Sequence, residues 1–170
     1  WVVAMLGQDC DHGKILGLAT GNTTRGHRFH GSDRISLDRP QDYESMLFDA
    51  KVVACFERRQ QIIRQQVESQ ASALGATAVI DSELLDEVTA LVEWPVALTG
   101  SFEARFLQVP QEALISSMKE HQKYFHVVDA AGKLKPYFIT VANIESSDPQ
   151  QVIAGNERVI RPRLSDAAFF

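Results

Sequence analysis

The chain has little cysteine and no long apolar run. Its two cysteines, Cys10 and Cys55, lie far apart and match no metal-ligand spacing, a pattern typical of reduced thiols in a cytosolic protein. No segment approaches the roughly 20 consecutive apolar residues of a membrane span, and no basic leader with an apolar core is present. The sequence therefore predicts a cytoplasmic protein without a membrane partner.

An excess of positive charge is also missing. The chain has 17 Lys and Arg against 22 Asp and Glu, which gives a net charge of −5. Dedicated nucleic-acid-binding domains usually have a basic balance or a broad basic face, so contact with RNA would require a local basic patch. This acidic balance favours a protein-interaction scaffold over a general RNA-binding domain.

Motifs for catalysis and for metal binding are scarce as well. There is no glycine-rich loop of the kinds that hold nucleotide phosphates. The spacing His27-x-x-His30 and the group Asp9-x-Asp11-His12 suggest a metal site, but zinc normally takes three or four closed ligands. The sequence therefore predicts no catalytic residue and no metal site, and a hydrolytic or metal-dependent enzyme is the least favoured class.

The chain does contain enough apolar residues for a core, since 45% of its 170 residues are hydrophobic. Strand patterns and helix patterns occur in separate blocks: a β-rich part over 1–37, a helical part over 40–94, and a helix, hairpin and helix over 96–170. This segregation predicts an α+β fold in which antiparallel strands and hairpins pack against several amphipathic helices. A chain of this length can form one domain or two small ones, and we expect a single α+β fragment over 1–170.

The strongest helix patterns lie in the middle of the chain. Apolar residues at three- and four-residue spacing predict a helix over 51–74, and Gly75 is a suitable residue to end it. A shorter helix is predicted over 40–50 and another over 110–121. Asp81 or Ser82 can cap a further helix that ends at the Trp94-Pro95 pair.

The clearest strand signal is a hairpin. Its strands are predicted over 124–129 and 137–142, with Asp129 and Gly132 forming the turn. Pro136 lacks an N–H and is expected at the mouth of the second strand, outside its ladder. In the early part, strands are predicted over 1–6, 15–19, 24–29 and 34–37.

A polar segment follows the hairpin. Asp148 and Pro149 predict a helix start, and the helix is expected to break near Gly155. Arg161 and Arg163 would then flank Pro162 in an extended segment, where residues two apart point to a similar side. Alternatively, the arginines Arg158, Arg161 and Arg163 form ion pairs with Glu145, Glu157 and Asp166.

Five segments together resemble one family. They are Arg-Gly-His-Arg-Phe over 25–29, Leu-Val-Glu-Trp-Pro over 91–95, and the longer stretches 118–125, 138–146 and 155–167. In this order they resemble the beta subunit of bacterial, heterotetrameric glycyl-tRNA synthetase, and the resemblance covers essentially all of the chain. The family's beta subunit is much longer, so the resemblance implies an internal fragment.

The resemblance implies a role and partners. In this family the aminoacylation centre lies in the separate alpha subunit, so this chain is expected to be non-catalytic and to hold no cofactor. It would support the ATP-dependent attachment of glycine to tRNA(Gly), with magnesium, by binding tRNA or by holding the assembly together. The alternative is a scaffold that never touches RNA. The fold is also expected to be similar to the B3/B4-type module of phenylalanyl-tRNA synthetase, without its editing function.

Three basic groups are the candidates for contact with RNA. For each of them, the competing interpretation is an ordinary solvated or ion-paired surface, and for the adjacent Tyr124 and Phe125 it is the hydrophobic core. The candidate residues are Arg25, His27 and Arg28 in the first group, Lys119, His121 and Lys123 in the second, and Arg161 and Arg163 in the third.

Overall fold

The structure, a computed structural model, describes residues 1–169. The chain divides into two compact units, Trp1–Arg59 and a second that begins at Gln60. The first contains eight acidic and eight basic residues, whereas the second contains fourteen acidic and nine basic residues. The net charge of −5 therefore belongs to the second unit alone.

Short strands make up most of the first unit. β4 (Lys14–Ile15) and β5 (Leu18–Gly21) form a tight hairpin, and β1 (Val2–Val3) pairs with β5 in parallel, which differs from the all-antiparallel expectation. Two further antiparallel pairs complete the strands of this unit. They are β2 (Met5–Leu6) with β3 (Asp9–Cys10), and β6 (Thr23–Thr24) with β7 (Ile35–Ser36).

Helices follow the strands. A 3-10 turn, Pro40–Asp42, leads into α1 (Tyr43–Asp49), which confirms the helix predicted over 40–50. The next helix, α2 (Phe56–Ala73), begins later than predicted. Lys51 has a positive φ of 64°, which excludes it from an α-helix, and residues 52–55 are not helical either. Gly75, with φ 66°, follows its end as predicted.

The second unit is organised around a four-stranded antiparallel sheet. Its strands are β8 (Thr77–Ala78), β9 (Val96–Ser101), β10 (Phe125–Val128) and β11 (Leu134–Ala142), in the order β8-β10-β11-β9. The hairpin of β10 and β11 confirms the strand prediction, and Gly132 in its turn has φ 79°. Pro136 lies inside β11, contrary to expectation. The pairing register shifts between His126 and Val128, close to that proline, so the ladder is irregular where the missing N–H would be needed.

Helices cover both faces of this sheet. They are α3 (Ser82–Leu91), α4 (Gln111–Ser116) with a π-helical turn Ser117–His121, and α5 (Pro149–Ala167); a 3-10 turn spans Ala104–Gln108. Asp81 caps α3 as predicted, since its carboxylate accepts a hydrogen bond from Leu84 N at 3.0 Å.

Two buried clusters hold the layers together. Successive residues of a strand point to opposite faces, so Phe125 and Ile139 join the cluster under α2 and α3, whereas Tyr124 and Phe138 join the cluster under α4 and α5. The α+β class is confirmed, and the likeness to a B3/B4-type module stays a prediction. None of the helices within residues 1–169 has both the length and the apolar content that a membrane crossing requires.

One helix contradicts the sequence prediction. The break expected near Gly155 is wrong, because α5 continues through Gly155 and Pro162 to Ala167. Ile160 and Leu164, one turn apart, are fully buried against the sheet. Their burial outweighs the cost of about 1 kcal/mol for an interior glycine and about 3 kcal/mol for an interior proline.

Candidate nucleic-acid interface

The loop 25–30, the first basic group, is built around a buried histidine. His27 is 2% exposed, and its backbone N–H donates to Ala50 O at the end of α1. Its ring nitrogen Nδ1 accepts hydrogen bonds from Phe29 N at 3.1 Å and from His30 N at 3.3 Å. In this arrangement the neutral ring carries its proton on Nε2. His27 therefore shapes the loop from inside and is not available to a ligand from outside.

Two glycines let the loop lie directly on α1. A Cβ atom on Gly26 would lie 2.6 Å from the Cβ of Ala50 and 2.9 Å from its carbonyl oxygen, and one on Gly31 would overlap the same carbonyl. The structure shows that this space is taken by Ala50 of the chain itself, so Gly26 is a packing residue.

The outer side of this loop carries cations and an aromatic ring. Arg25 and Arg28 are exposed, and Phe29 is 69% exposed. The Arg28 guanidinium lies 5.5 Å from the centre of the Phe29 ring, and that of Arg25 lies 4.6 Å from the Trp1 ring. Within residues 1–169 neither arginine forms an ion pair with a carboxylate. Both guanidinium groups can therefore bind an anion.

The second basic group, at the junction of the π-helical turn and β10, is neutralised. Lys119 lies 3.1 Å from an Asp81 carboxylate oxygen, and Lys123 lies 2.9 Å from one of Glu87. Glu83 and Glu120 line a shallow cavity of about 260 Å³ together with the two lysines. Phosphate binding here would compete with carboxylates already in place. His121 is exposed, whereas Tyr124 and Phe125 are core residues, at 4% and 0% exposure.

These contacts also shift titrations. The Leu84 backbone N–H, followed by the Lys119 ammonium, lowers the pKa of Asp81. The hydrogen bond to Asp81 raises the pKa of Lys119. Burial, followed by the nearby Lys119 charge, lowers the pKa of His126. The shifts of Asp81 and Lys119 reflect their ion pair, whereas that of His126 reflects burial beside a cation.

The third basic group is divided by the helix. Because α5 is continuous, Arg161 and Arg163 are about 200° apart around its axis and cannot form the two-pronged contact that an extended segment would offer. Arg161 forms an ion pair with Glu103 at 2.8 Å. Two of the three partners expected from sequence are engaged elsewhere: Glu145 accepts from Trp94 Nε1 and Glu157 accepts from Ser101 N. Arg163 is exposed and forms no ion pair within residues 1–169.

Nothing in the described part of the chain resembles a metal centre. His27 and His30 stack with their ring centres 4.9 Å apart, and across residues 1–169 no three His, Cys, Asp or Glu side chains are grouped to hold an ion. The geometry therefore gives one surface with unpaired cations beside an exposed ring, the loop 25–30, and two basic groups that are wholly or partly neutralised.

Comparison with known proteins identifies the family. The family model described as glycyl-tRNA synthetase beta subunit matches residues 1–170. The chain belongs to this family. It is 62% identical over its whole length to the glycine–tRNA ligase beta subunit of Chromohalobacter salexigens, and 61% and 58% identical to those of Hahella chejuensis and Marinobacter nauticus. In each case the chain spans 25% of the relative's length.

Several segments that resemble the glycyl-tRNA synthetase beta subunit meet each other in the structure. Asn143 Oδ1 accepts hydrogen bonds from Glu93 N at 2.8 Å and from Trp94 N at 2.9 Å, and Trp94 Nε1 donates to Glu145 at 2.8 Å. The segments 91–95 and 138–146 are therefore joined by three hydrogen bonds. No local sequence pattern predicts this role, because the partners are about fifty residues apart.

Proposed function

We propose that this chain is a non-catalytic portion of a glycyl-tRNA synthetase beta subunit that supports the ATP-dependent attachment of glycine to tRNA(Gly) by binding tRNA through the loop 25–30. Its partners are the alpha subunit, which contains the aminoacylation centre, and tRNA(Gly), in a cytoplasmic heterotetramer. ATP with magnesium is used at the alpha subunit, and no step of that reaction uses a residue of this chain.

The observation that carries this proposal is the difference between the basic groups. Lys119, Lys123 and Arg161 all have carboxylate partners within 3.1 Å, whereas Arg25 and Arg28 have none within residues 1–169. Guanidinium groups bind phosphate through a planar set of N–H donors. The first unit is also electrically balanced, so a polyanion is not repelled there as it is by the acidic second unit.

The test uses the full alpha–beta enzyme with Arg25→Ala and Arg28→Ala combined. We expect weaker binding of tRNA(Gly) with an unchanged melting temperature. Each phosphate contact contributes about 0.7–0.9 to the slope of log affinity against log salt, so the slope should shrink by about 1–2 units. The matched control is Lys119→Ala with Lys123→Ala, which removes two paired cations and should leave that slope nearly unchanged. Wild-type affinity and slope in the arginine variant would refute the proposal.

A second candidate function, assembly with the alpha subunit, is favoured by a different observation. The turn of the β4–β5 hairpin is Leu16-Gly17. Leu16 has a positive φ of 52°, and its side chain is 97% exposed. Ile15 and Leu18, on either side of the turn, are each more than half exposed. A leucine in the left-handed region costs about 1 kcal/mol or more, and an exposed apolar tip with such strain suggests a contact surface. Leu16→Asn should relieve the strain and weaken subunit association without changing the salt slope.

A further inference from the structure

We propose that the loop 25–30 binds an unpaired nucleotide, with the base stacked on Phe29 and the flanking phosphates held by Arg25 and Arg28. This inference rests on the proposed function and adds to it the kind of RNA that is recognised: a single-stranded or flipped-out nucleotide rather than a duplex. The chemical class of the ligand is an RNA nucleotide whose base is not stacked in a helix.

The backbone of the loop holds Phe29 outward. Its backbone N–H is taken by the buried Nδ1 of His27 at 3.1 Å, and the loop backbone is anchored at Ala50 by the N–H of His27. The ring is nevertheless 69% exposed. A phenylalanine on a free, flexible loop could turn inward, but here its own backbone N–H is hydrogen-bonded in the outward geometry.

A cation lies next to the Phe29 ring. Arg28 lies 5.5 Å from the ring centre, and Arg25 is exposed three residues earlier in the same loop. The acidic residue nearest in sequence, Asp33, forms no ion pair with either arginine within residues 1–169. An aromatic face next to guanidinium groups is the combination by which proteins bind single-stranded RNA, since any base stacks on the ring and the cations contact the backbone.

The neighbours of Phe29 favour RNA over a protein partner. An apolar partner surface would be favoured by neighbouring aliphatic side chains, but the residues beside Phe29 in the chain are Arg28 and His30. The Arg28 guanidinium beside this ring and the exposed Arg25 of the same loop are costly to bury against apolar side chains. A duplex is disfavoured because its bases are already stacked on each other, which leaves the ring with no face to contact.

The test measures RNA binding by the full alpha–beta enzyme with Phe29→Ala, Phe29→Leu and Phe29→Trp. Stacking of one base contributes about 1–3 kcal/mol, so Phe29→Ala should weaken tRNA(Gly) binding by about 5- to 150-fold. The salt slope should stay unchanged, because no phosphate contact is lost. Phe29→Leu should bind as weakly as Phe29→Ala, and Phe29→Trp should bind about as well as the wild type, since only an aromatic ring stacks a base.

A competitor pair identifies the form of RNA. An unstructured single-stranded oligonucleotide should compete with tRNA(Gly) for the wild-type enzyme more strongly than a duplex of equal length, and this preference should shrink in Phe29→Ala. The matched control is Phe56→Ala, which removes another exposed phenylalanine of the same unit that also has an arginine, Arg59, near its ring at 5.6 Å. We expect wild-type RNA binding from this control.

The outcomes distinguish this inference from the proposed function. If Arg25→Ala with Arg28→Ala weakens tRNA binding but Phe29→Ala does not, the loop contacts phosphate alone and stacking is refuted. If Phe29→Leu binds RNA as wild type does, the ring acts by apolar contact and stacking is refuted as well. If the Phe29 variants lose subunit association while the arginine variant keeps wild-type RNA affinity, the loop is a protein interface and both proposals fail.

Discussion

Replacing Gly100 by alanine should be the most damaging single-methyl change in the second unit. Gly100 lies in β9 directly opposite Phe138 of β11, and the Phe138 ring covers it. A Cβ atom at position 100 would lie 2.6 Å from Cε1 and 2.8 Å from Cε2 of that ring, and closer still to Cζ. Carbon atoms do not approach so closely, so either the ring or the strand must move.

The ring has no room to move. Phe138 is fully buried, and its ring stacks on Tyr124 with centres 4.6 Å apart and planes inclined by 14°. Overpacking a core usually costs about 1–3 kcal/mol, and displacing a stacked aromatic pair adds about 0.5–1.5 kcal/mol. We therefore expect Gly100→Ala to lower the free energy of unfolding by about 3 kcal/mol. With a urea m-value of about 2 kcal/mol/M, the midpoint should fall by about 1.5 M.

Urea unfolding of the 170-residue chain, followed by tryptophan fluorescence and circular dichroism, measures this shift. The matched control is Gly155→Ala in α5, where an added Cβ meets no atom within 4 Å and should stabilise by about 0.5–1 kcal/mol. In a Phe138→Leu background the cost of Gly100→Ala should fall by at least about 1 kcal/mol, because the clashing ring is gone. A Gly100→Ala midpoint equal to that of the wild-type chain would refute the packing described here.

The remaining predictions concern the hairpin and the tyrosine beside it. Gly132→Val should lower the free energy of unfolding by about 1–2 kcal/mol from backbone strain alone, because Gly132 has φ 79° and open space around it. Ala131→Val is the control, and equal urea midpoints for the two variants would show that the turn is misassigned. Burial raises the pKa of Tyr124 to about 12, so the stability that its neutral form contributes is present below pH 10 and is lost as the pH rises through about 12. An absorbance titration of the wild-type chain minus that of Tyr124→Phe measures this pKa, and a difference that titrates near 10 would contradict it.

Local signals in the sequence predicted much of the fold. Asp81 caps α3, Gly75 follows α2 and Gly132 turns the hairpin, each with the hydrogen bond or the positive φ expected of its residue type. These features depend on neighbours a few residues away, so one sequence is enough to find them. The start of α2 was misplaced because Lys51 adopts a left-handed conformation that a lysine seldom takes, and no residue type announces it.

The candidate site was harder to predict because charge pairing is a tertiary property. In sequence, Lys119 and Lys123 resemble a basic patch as much as Arg25 and Arg28 do. Their carboxylate partners, Asp81 and Glu87, are more than thirty residues away and reach them only because α3 packs near the π-helical turn. His27 fails as a ligand-binding residue for a similar reason, since its burial depends on Ala50 at the end of a separate helix.

The continuous helix α5 shows how packing can reverse a functional inference. From the neighbouring sequence alone, Gly155 and Pro162 predict an extended segment that presents Arg161 and Arg163 on one side. In the structure, Ile160 and Leu164 are fully buried, and Asn156 accepts a hydrogen bond from Tyr124 at 2.6 Å, so the apolar core keeps the segment helical. The two arginines then point in different directions, and one of them pairs with Glu103. The same cluster that stabilises the fold thus removes the two-pronged phosphate contact, and this is why the loop 25–30, which packs without using its cations, is the better candidate for RNA.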